Sequence, residues 1–163
     1  AIGRGGALIE LDENKPAASI AWRGKPKTAL YCCNSTPLIV NGVIYGSDID
    51  SSTLIAARLS DGERLWQSDE PVIQKELRKG GRHGTVYLTH HPKNDQFWIT
   101  NEGGDLILAK LSKEGYTELG RQHILEPTNE AFGRPVVWSA PAFSEKSILM
   151  RNDKELVRVD LSE

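Results

Sequence analysis

Short apolar runs separated by polar turns follow one another along the whole chain. The clearest case is Thr36–Val40, followed by Asn41-Gly42 and then by Val43–Gly46. An Asn-Gly pair between two apolar runs is a strong signal for a tight β-hairpin, because both turn residues must adopt positive φ. Only Pro71–Lys79 shows an arguable helical period, and it is short. The pattern therefore predicts an all-β fold.

Two of the predicted hairpins share a spaced motif. It consists of an alanine, a glycine six residues later and a large apolar residue ten residues later; the copies are Ala56, Gly62, Trp66 and Ala109, Gly115, Leu119. They lie about 50 residues apart, a period typical of propeller blades. Glu10 and Arg158 occupy the alanine position in the first and last parts of the chain. This repetition predicts a β-propeller built of four-stranded antiparallel sheets.

The turns divide the chain into four units, which span about residues 1–33, 34–74, 83–126 and 136–163. The strand predictions give two strands for unit 1, four each for units 2 and 3, and three for unit 4. Two incomplete outer units favour a partial propeller of about three to four blades, and we interpret it as the C-terminal part of a larger one. Since uncovered sheet edges and apolar faces recruit other chains, we expect self-association, most simply as a two-fold dimer.

The segment that carries Ala56, Gly62 and Trp66 resembles the tryptophan-docking motif of the pyrroloquinoline-quinone (PQQ) repeat. Ser35–Tyr45 is similar to the opening strands of such a repeat, whereas Arg58 replaces the family's Asp. Asp61 stands at the family's Thr position. The resemblance covers most of the chain, although only unit 2 matches the motif well. The resemblance implies a PQQ-like propeller from a bacterial protein that is periplasmic or secreted.

In that family the docking tryptophan packs between neighbouring blades, with its ring against a peptide plane of the next unit. The resemblance therefore implies this role for Trp66, for Trp22 in unit 1 and, less effectively, for Leu119. A tryptophan suits the role, because one ring buries a large apolar area and its N–H can reach a backbone carbonyl.

Cys32-Cys33 is the candidate cofactor feature of the sequence. Some quinoprotein dehydrogenases of the family carry a disulfide between adjacent cysteines that packs on the PQQ ring. Such a bond is strained, because neighbouring Cα atoms lie about 3.8 Å apart. The alternative interpretation is a pair of small apolar residues entering a strand. The family's Glu–Asn–Asp calcium set is not recognisable, so we expect no cofactor, with PQQ and calcium as the alternative.

Other polar clusters favour structural roles. The segment 48–52, with alternating Asp and Ser oxygens, lacks the glycine and glutamate of a calcium loop, so a polar turn is the better interpretation. His90-His91 would point to opposite faces of a strand, and adding His83 and His123 gives no zinc spacing. The basic run 75–82 is typical of a solvated loop, with an anion site as the alternative.

Composition narrows the class of protein further. A net charge of -2 argues against a nucleic-acid surface, and no apolar run approaches the roughly 20 residues of a membrane span. The sequence therefore predicts a non-catalytic propeller that serves as a protein- or polysaccharide-binding scaffold, as relatives that scaffold outer-membrane assembly do. The alternative is the C-terminal portion of a PQQ-dependent alcohol or sugar dehydrogenase. Fold alone does not decide between them.

Overall fold

The computed structural model describes residues 6–25, 27–72 and 84–162. Within these ranges the chain forms strands and turns without a helix, which confirms the predicted all-β class. In chain order the strands are β1 (Ala7–Leu11), β2 (Ala18–Arg23), β3 (Leu38–Val40), β4 (Val43–Asp48), β5 (Thr53–Arg58), β6 (Arg64–Ser68), β7 (Val86–His91), β8 (Gln96–Asn101), β9 (Asp105–Leu111), β10 (Tyr116–His123), β11 (Asn129–Ala131), β12 (Arg134–Val136), β13 (Ala142–Ser144), β14 (Ser147–Arg151) and β15 (Leu156–Asp160).

The strands form antiparallel sheets in which each strand pairs with its neighbour in sequence. Unit 1 contains β1 and β2, unit 2 contains β3 to β6, unit 3 contains β7 to β10, and unit 4 contains β13 to β15. The remaining hairpin, β11–β12, lies between units 3 and 4, and the sequence did not predict it. This succession of small antiparallel sheets is the arrangement expected of propeller blades.

Units 2 and 3 pack face to face through the main apolar core. The residues of β4 and β8 that face this core are two positions apart, as the alternation of side chains along a strand requires. The Tyr45 and Phe97 rings meet edge to face with centroids 5.5 Å apart. The cluster contains Val43, Tyr45, Leu54, Ala56, Val72, Val86, Phe97, Ile99, Ile107, Ala109 and Leu111. A second cluster of Leu106, Leu125, Ile148 and Met150 joins unit 3 to unit 4, so the units stack in chain order.

A buried polar side chain at the end of the second strand of each larger unit binds the chain segment that leads into that unit. Because unpaired buried polar groups are costly, these bonds fix each connection against its sheet. The contacts are Tyr31 N to Asp48 Oδ1 at 3.1 Å, Asn101 Nδ2 to Pro71 O at 3.3 Å, and Asn152 Nδ2 to Glu126 O at 3.0 Å. The turns after β4, β8 and β14 therefore share one end of the stack with the connections between units. We call this end the connection face.

Candidate functional site

Trp22 and Trp66 each hydrogen-bond the unit that follows. Trp22 Nε1 donates to the Leu59 carbonyl at 2.8 Å, and Trp66 Nε1 donates to the Ser112 carbonyl at 2.7 Å. The Trp22 ring also lies on Gly62, where an added Cβ would come within 2.8 Å of the ring. Trp66 is half-buried rather than largely buried. Both rings therefore join neighbouring units, and Gly62 is small because Trp22 covers it.

The second copy of the motif has a different register. Trp66 lies opposite Ala56, but Glu118 lies opposite Ala109, and Leu119 falls in the β-bulge between the paired residues. On the turn side of the bulge the two copies pair alike, Ala57 with Arg64 and Lys110 with Thr117, and the bulge of the second copy lies one pair farther from the turn. Leu119 is 45% exposed, so it does not take the place of Trp66.

Two further motif positions differ from the prediction. Gly115 has open space around its Cα instead of a covering ring, so it does not repeat the environment of Gly62. In unit 1, Leu8 lies opposite Trp22, whereas Glu10 lies opposite Ser19. Trp22 lies twelve residues after Glu10, whereas Trp66 lies ten residues after Ala56, so unit 1 does not repeat the spacing of the motif.

Cys32 is half-buried and Cys33 is exposed, and both are free thiols. The Cys32 sulfur lies so close to Gly46 that a Cβ on that glycine would approach it to 2.7 Å. Burial raises the pKa of Cys32 to about 12, so the thiol stays protonated at neutral pH. Since the thiolate is the reactive form, this environment favours packing over redox or nucleophilic chemistry at Cys32.

A crevice of about 420 Å³ lies beside Cys32, between units 1 and 2. Its side chains are mainly apolar, with Trp22, Leu30, Ile39 and Ile44 among them, and its twelve lining residues include no cation and no carboxylate. PQQ is a tricarboxylate, and calcium prefers carboxylate and carbonyl oxygens. The crevice therefore does not fit a calcium–quinone complex.

The carboxylate of Asp48 already has a full set of protein partners. Its oxygens accept bonds from the backbone N–H groups of Tyr31 and Ser51, from the Ser51 hydroxyl and from Arg64. In the described ranges no group of three or more His, Cys, Asp and Glu side chains has a geometry that holds a metal ion. The segment 48–52 is therefore a structural turn. His83 and the basic run 75–82 lie outside the described residues.

Asp105 is a buried carboxylate at the centre of an ionic cluster in unit 3. It accepts hydrogen bonds from Asn101, Arg121 and His123 at 3.1, 2.9 and 3.0 Å. Burial alone would raise the pKa of Asp105, but these bonds outweigh it and leave the pKa lowered. The bond to Asp105 and the nearby Glu126 raise the pKa of His123, although partial burial opposes the shift. The cluster anchors the start of the segment that leads to β11.

The hairpin β11–β12 carries an unusual turn. Its tip residues Phe132 and Gly133 have φ of 51° and 72°, almost the same as Asn41 and Gly42 in the β3–β4 hairpin at 50° and 75°. Asn suits this left-handed geometry, whereas a bulky aromatic residue there is a genuine outlier. Phe132 is also 74% exposed. An aromatic residue with a strained backbone conformation thus projects its side chain into solvent from the segment that joins units 3 and 4.

A buried ion pair fixes the base of this hairpin. Arg134 donates from Nε and Nη2 to the two oxygens of Glu102, both at 2.9 Å, and Trp138 Nε1 donates to Glu102 Oε1 at 2.6 Å. The Arg134 guanidinium lies 6.0 Å from the Phe132 ring centre and 5.8 Å from that of Trp138. The ion pair and the neighbouring Trp138 ring, tilted by 53° to the Phe132 ring, hold Phe132 on a rigid base. We call Phe132, Arg134 and Trp138 the aromatic hairpin site.

A cavity of about 180 Å³ lies next to the site. Trp138 and Val136 supply apolar wall, and Asn129, Arg151 and Asp153 supply polar groups. A cavity of about 150 Å³ is large enough for a benzene ring, so this one accommodates a single large side chain. Exposed aromatic residues beside a pocket, with an arginine held in place, are the residue types that dominate binding at protein interfaces.

The aromatic hairpin site was not predicted from the sequence. The available signal was Phe132-Gly133 between two short runs, but the turn lacks the Asn or Asp that marks such hairpins. Phe132 in place of Asn or Asp made the hairpin unrecognisable in the sequence, and the same residue makes it a candidate site.

Comparison with known proteins identifies the fold. No protein-family model matches the chain, and no curated protein matches its sequence. Among solved structures, the structure of BamB from Moraxella catarrhalis matches 97% of this chain with a TM-score of 0.62 and 15% identity. The match covers 44% of the BamB chain, so this chain spans less than half the length of that propeller. The chain thus has a PQQ-like β-propeller fold. Among the described residues, no helix is long and apolar enough to cross a membrane.

Proposed function

We propose that this chain is a non-catalytic propeller scaffold that binds a protein partner through the aromatic hairpin site. The observation that carries the proposal is Phe132, a large apolar residue held at positive φ and 74% exposed. A left-handed conformation costs an L-residue about 1–2 kcal/mol. The ring lies 6.1 Å from the Trp138 ring centre and 6.0 Å from the Arg134 guanidinium, and these exposed contacts recover part of that cost. Strain of this kind concentrates at functional positions, so the benefit of Phe132 lies in binding.

The support beneath Phe132 agrees with a binding role. Glu102 is buried and its two oxygens are occupied by Arg134, so the hairpin does not need to reorganise when a partner arrives. Preorganised aromatic anchors lose little conformational entropy on binding. Trp138 and the adjacent cavity add a second contact surface. The site thus combines an exposed anchor, a rigid base and a pocket of side-chain size.

Protein is favoured over polysaccharide because the projecting group is a phenyl ring, which carries no hydrogen-bonding group, and the guanidinium beside it is already neutralised. Arg134 donates from Nε and Nη2 to Glu102 and from Nη1 to the Ala131 carbonyl, so it offers a partner mainly the face of its guanidinium. The dehydrogenase alternative receives no support from the surroundings of Cys32, whose crevice carries no charged side chain. A periplasmic or secreted location, which the family resemblance implies, remains part of this proposal.

The experiment selects peptides from a random displayed library against the chain and measures their affinities for variants by titration calorimetry. Phe132→Asn should remove binding without unfolding, because Asn suits the same turn. The matched control is Asn41→Phe, which places an exposed ring on an equivalent turn without the Glu102–Arg134 base. A glycan array and a titration with PQQ and calcium accompany the selection. If the parent chain binds a glycan and Phe132→Asn does not, the partner is a polysaccharide and not a protein. A stable complex with PQQ and calcium would overturn the proposal of a non-catalytic scaffold.

A further inference from the structure

His123, at the end of β10, contacts two carboxylates. Its Nδ1 lies 3.0 Å from Asp105 Oδ1, and its Nε2 lies 3.2 Å from Glu126 Oε1. An ionised carboxylate only accepts hydrogen bonds, so both contacts are satisfied together only when both ring nitrogens carry a proton. This arrangement is therefore that of the imidazolium. Loss of one proton leaves a ring nitrogen without a hydrogen facing a carboxylate oxygen, and that contact becomes repulsive.

Among the described residues, the charged groups around this ring come from two neighbouring segments and from its own strand. Asp105 lies on β9 and is buried, whereas Glu126 lies on the segment that leads to β11 and is exposed. Arg121 and Glu118 on β10 complete the cluster around Asp105. The hydrogen bond to Asp105 raises the pKa of His123 against the effect of partial burial, and Glu126 adds to the rise. His123 therefore changes its charge above the ordinary value of 6.5.

Asp105 also closes the turn that carries Glu102 between β8 and β9. Asn101 Nδ2 donates to Asp105 Oδ2 at 3.1 Å, and Asp105 N donates to Asn101 Oδ1 at 3.0 Å, so the two side chains join the ends of the turn. The same turn presents Glu102 to Arg134 and Trp138. The base of the aromatic hairpin site thus rests on a turn that Asp105 helps to hold closed.

The segment that carries Glu126 forms part of the same site. Asn152 Nδ2 donates to the Glu126 carbonyl at 3.0 Å, and Asp153 N donates to Thr128 Oγ1 at 3.1 Å. Thr128, Asn152 and Asp153 line the cavity next to the aromatic hairpin site. Hydrogen bonds that share partners in this way strengthen one another. The His123 ring thus joins the turn that carries Glu102 to the wall of the cavity.

We infer that His123 is a pH-sensitive switch for the aromatic hairpin site. The imidazolium holds the Glu102 turn and the cavity wall together, and the neutral ring releases Glu126, because that carboxylate is the exposed one. The part of the inference that concerns binding rests on the proposed function. A partner that prefers the joined form binds more tightly at low pH, and by linkage its binding favours proton uptake by His123.

The indole N–H of Trp138 reports the state of the site, since it donates to Glu102 Oε1. Proton–nitrogen correlation NMR of the 163-residue chain follows this signal during a pH titration, with Trp138→Phe to assign it. We expect the signal to shift with the same midpoint as the His123 ring and to lose that shift in His123→Gln. His91→Gln is the matched control, because His91 is an exposed histidine at the end of β7, and it should keep the shift.

Calorimetry with an acetylated, histidine-free peptide that binds through Phe132 tests the effect on affinity. From about pH 6 to about pH 9 the affinity should fall about two- to fivefold, the range expected for one partly exposed ion pair. His123→Gln should remove this pH dependence. Glu126→Gln, a substitution at an exposed position, should lower the midpoint of His123 and reduce the dependence, and it serves as the test if His123→Gln does not fold.

Two results would overturn the inference. One is a Trp138 signal that does not follow His123, and the other is a peptide that requires Phe132 but binds equally at both pH values. If the Trp138 signal follows His123 and no selected peptide requires Phe132, the switch is supported and the proposed function fails.

Discussion

Replacing Phe132 by Asn should leave the fold at least as stable while it removes the binding anchor. Phe132 and Asn41 occupy the same left-handed turn position, with φ of 51° and 50°. An ordinary L-residue loses about 1–2 kcal/mol in this conformation, whereas Asn tolerates it. The substitution therefore relieves strain in the turn between β11 and β12.

The substitution also removes the contact with Trp138, whose ring centre lies 6.1 Å from that of Phe132, and this loss lowers the free energy of unfolding. An aromatic pair contributes about 0.5–1.5 kcal/mol, and an exposed pair lies at the low end. The net change should be a gain of about 0–1 kcal/mol in the free energy of unfolding. For a chain of this size, about 1 kcal/mol raises the melting temperature by roughly 2–4 °C.

Urea denaturation followed by tryptophan fluorescence measures this change. The reciprocal variant Asn41→Phe should lose about 1–2 kcal/mol, because it introduces the same strain without the ring partner. A loss of more than about 1 kcal/mol in Phe132→Asn would refute the reasoning, since it would show that Phe132 is held by packing. A neutral Asn41→Phe would show that this turn does not strain an aromatic residue.

Three further substitutions test the supports of the fold and the site. Trp66→Ala should lower the free energy of unfolding, measured by urea denaturation, by about 3 kcal/mol. This is the low end for a large-to-small substitution, because the ring is half-buried. A loss below about 1 kcal/mol would contradict the role of Trp66 between units. Glu102→Ala should cost about 3–5 kcal/mol, since it leaves Arg134 buried without its counter-charge; an unchanged urea midpoint would show that the ion pair does not brace the hairpin. The raised pKa of His123 predicts that its stabilisation is complete below its ordinary value of 6.5 and is lost as the pH rises through the folded-state pKa. His123→Gln should remove that part of the pH dependence of the unfolding free energy. If the pH dependence is the same in this variant as in the parent chain, His123 is not its source.

Local pattern was sufficient to predict the strands of units 2 and 3. Short apolar runs locate β4 and β8, and Asn41-Gly42 locates the β3–β4 turn, because these signals depend on neighbouring residues alone. The antiparallel pairing of consecutive strands within units 2 and 3 was predicted as well.

The register of the second motif copy was wrong because spacing in sequence does not determine where a bulge falls. In the second copy the bulge lies one pair farther from the turn, which places Glu118 opposite Ala109 and leaves Leu119 in the bulge. In unit 1, Trp22 lies twelve residues after Glu10, whereas Trp66 lies ten residues after Ala56, and Glu10 lies opposite Ser19. Bulges depend on how two strands twist against their neighbours, and a single-strand pattern does not contain that information.

The candidate site was missed for a different physical reason. Its hairpin uses Phe132 where turn chemistry calls for Asn, and the base that permits this comes from Glu102, distant in sequence. Local rules fail where tertiary contacts support a strained residue, and such places are expected to be functional. Only the contacts between units 3 and 4 reveal the site.

The binding of one library-selected peptide to the parent chain and to Phe132→Asn tests the central claim most directly. Calorimetry should give a dissociation constant that rises at least about tenfold in Phe132→Asn, as expected for the loss of an aromatic anchor, while the variant stays folded. Asn41→Phe should bind the peptide like the parent chain. Equal affinity of the parent and Phe132→Asn for every selected peptide would contradict the account, because the aromatic hairpin site would then not be the binding surface.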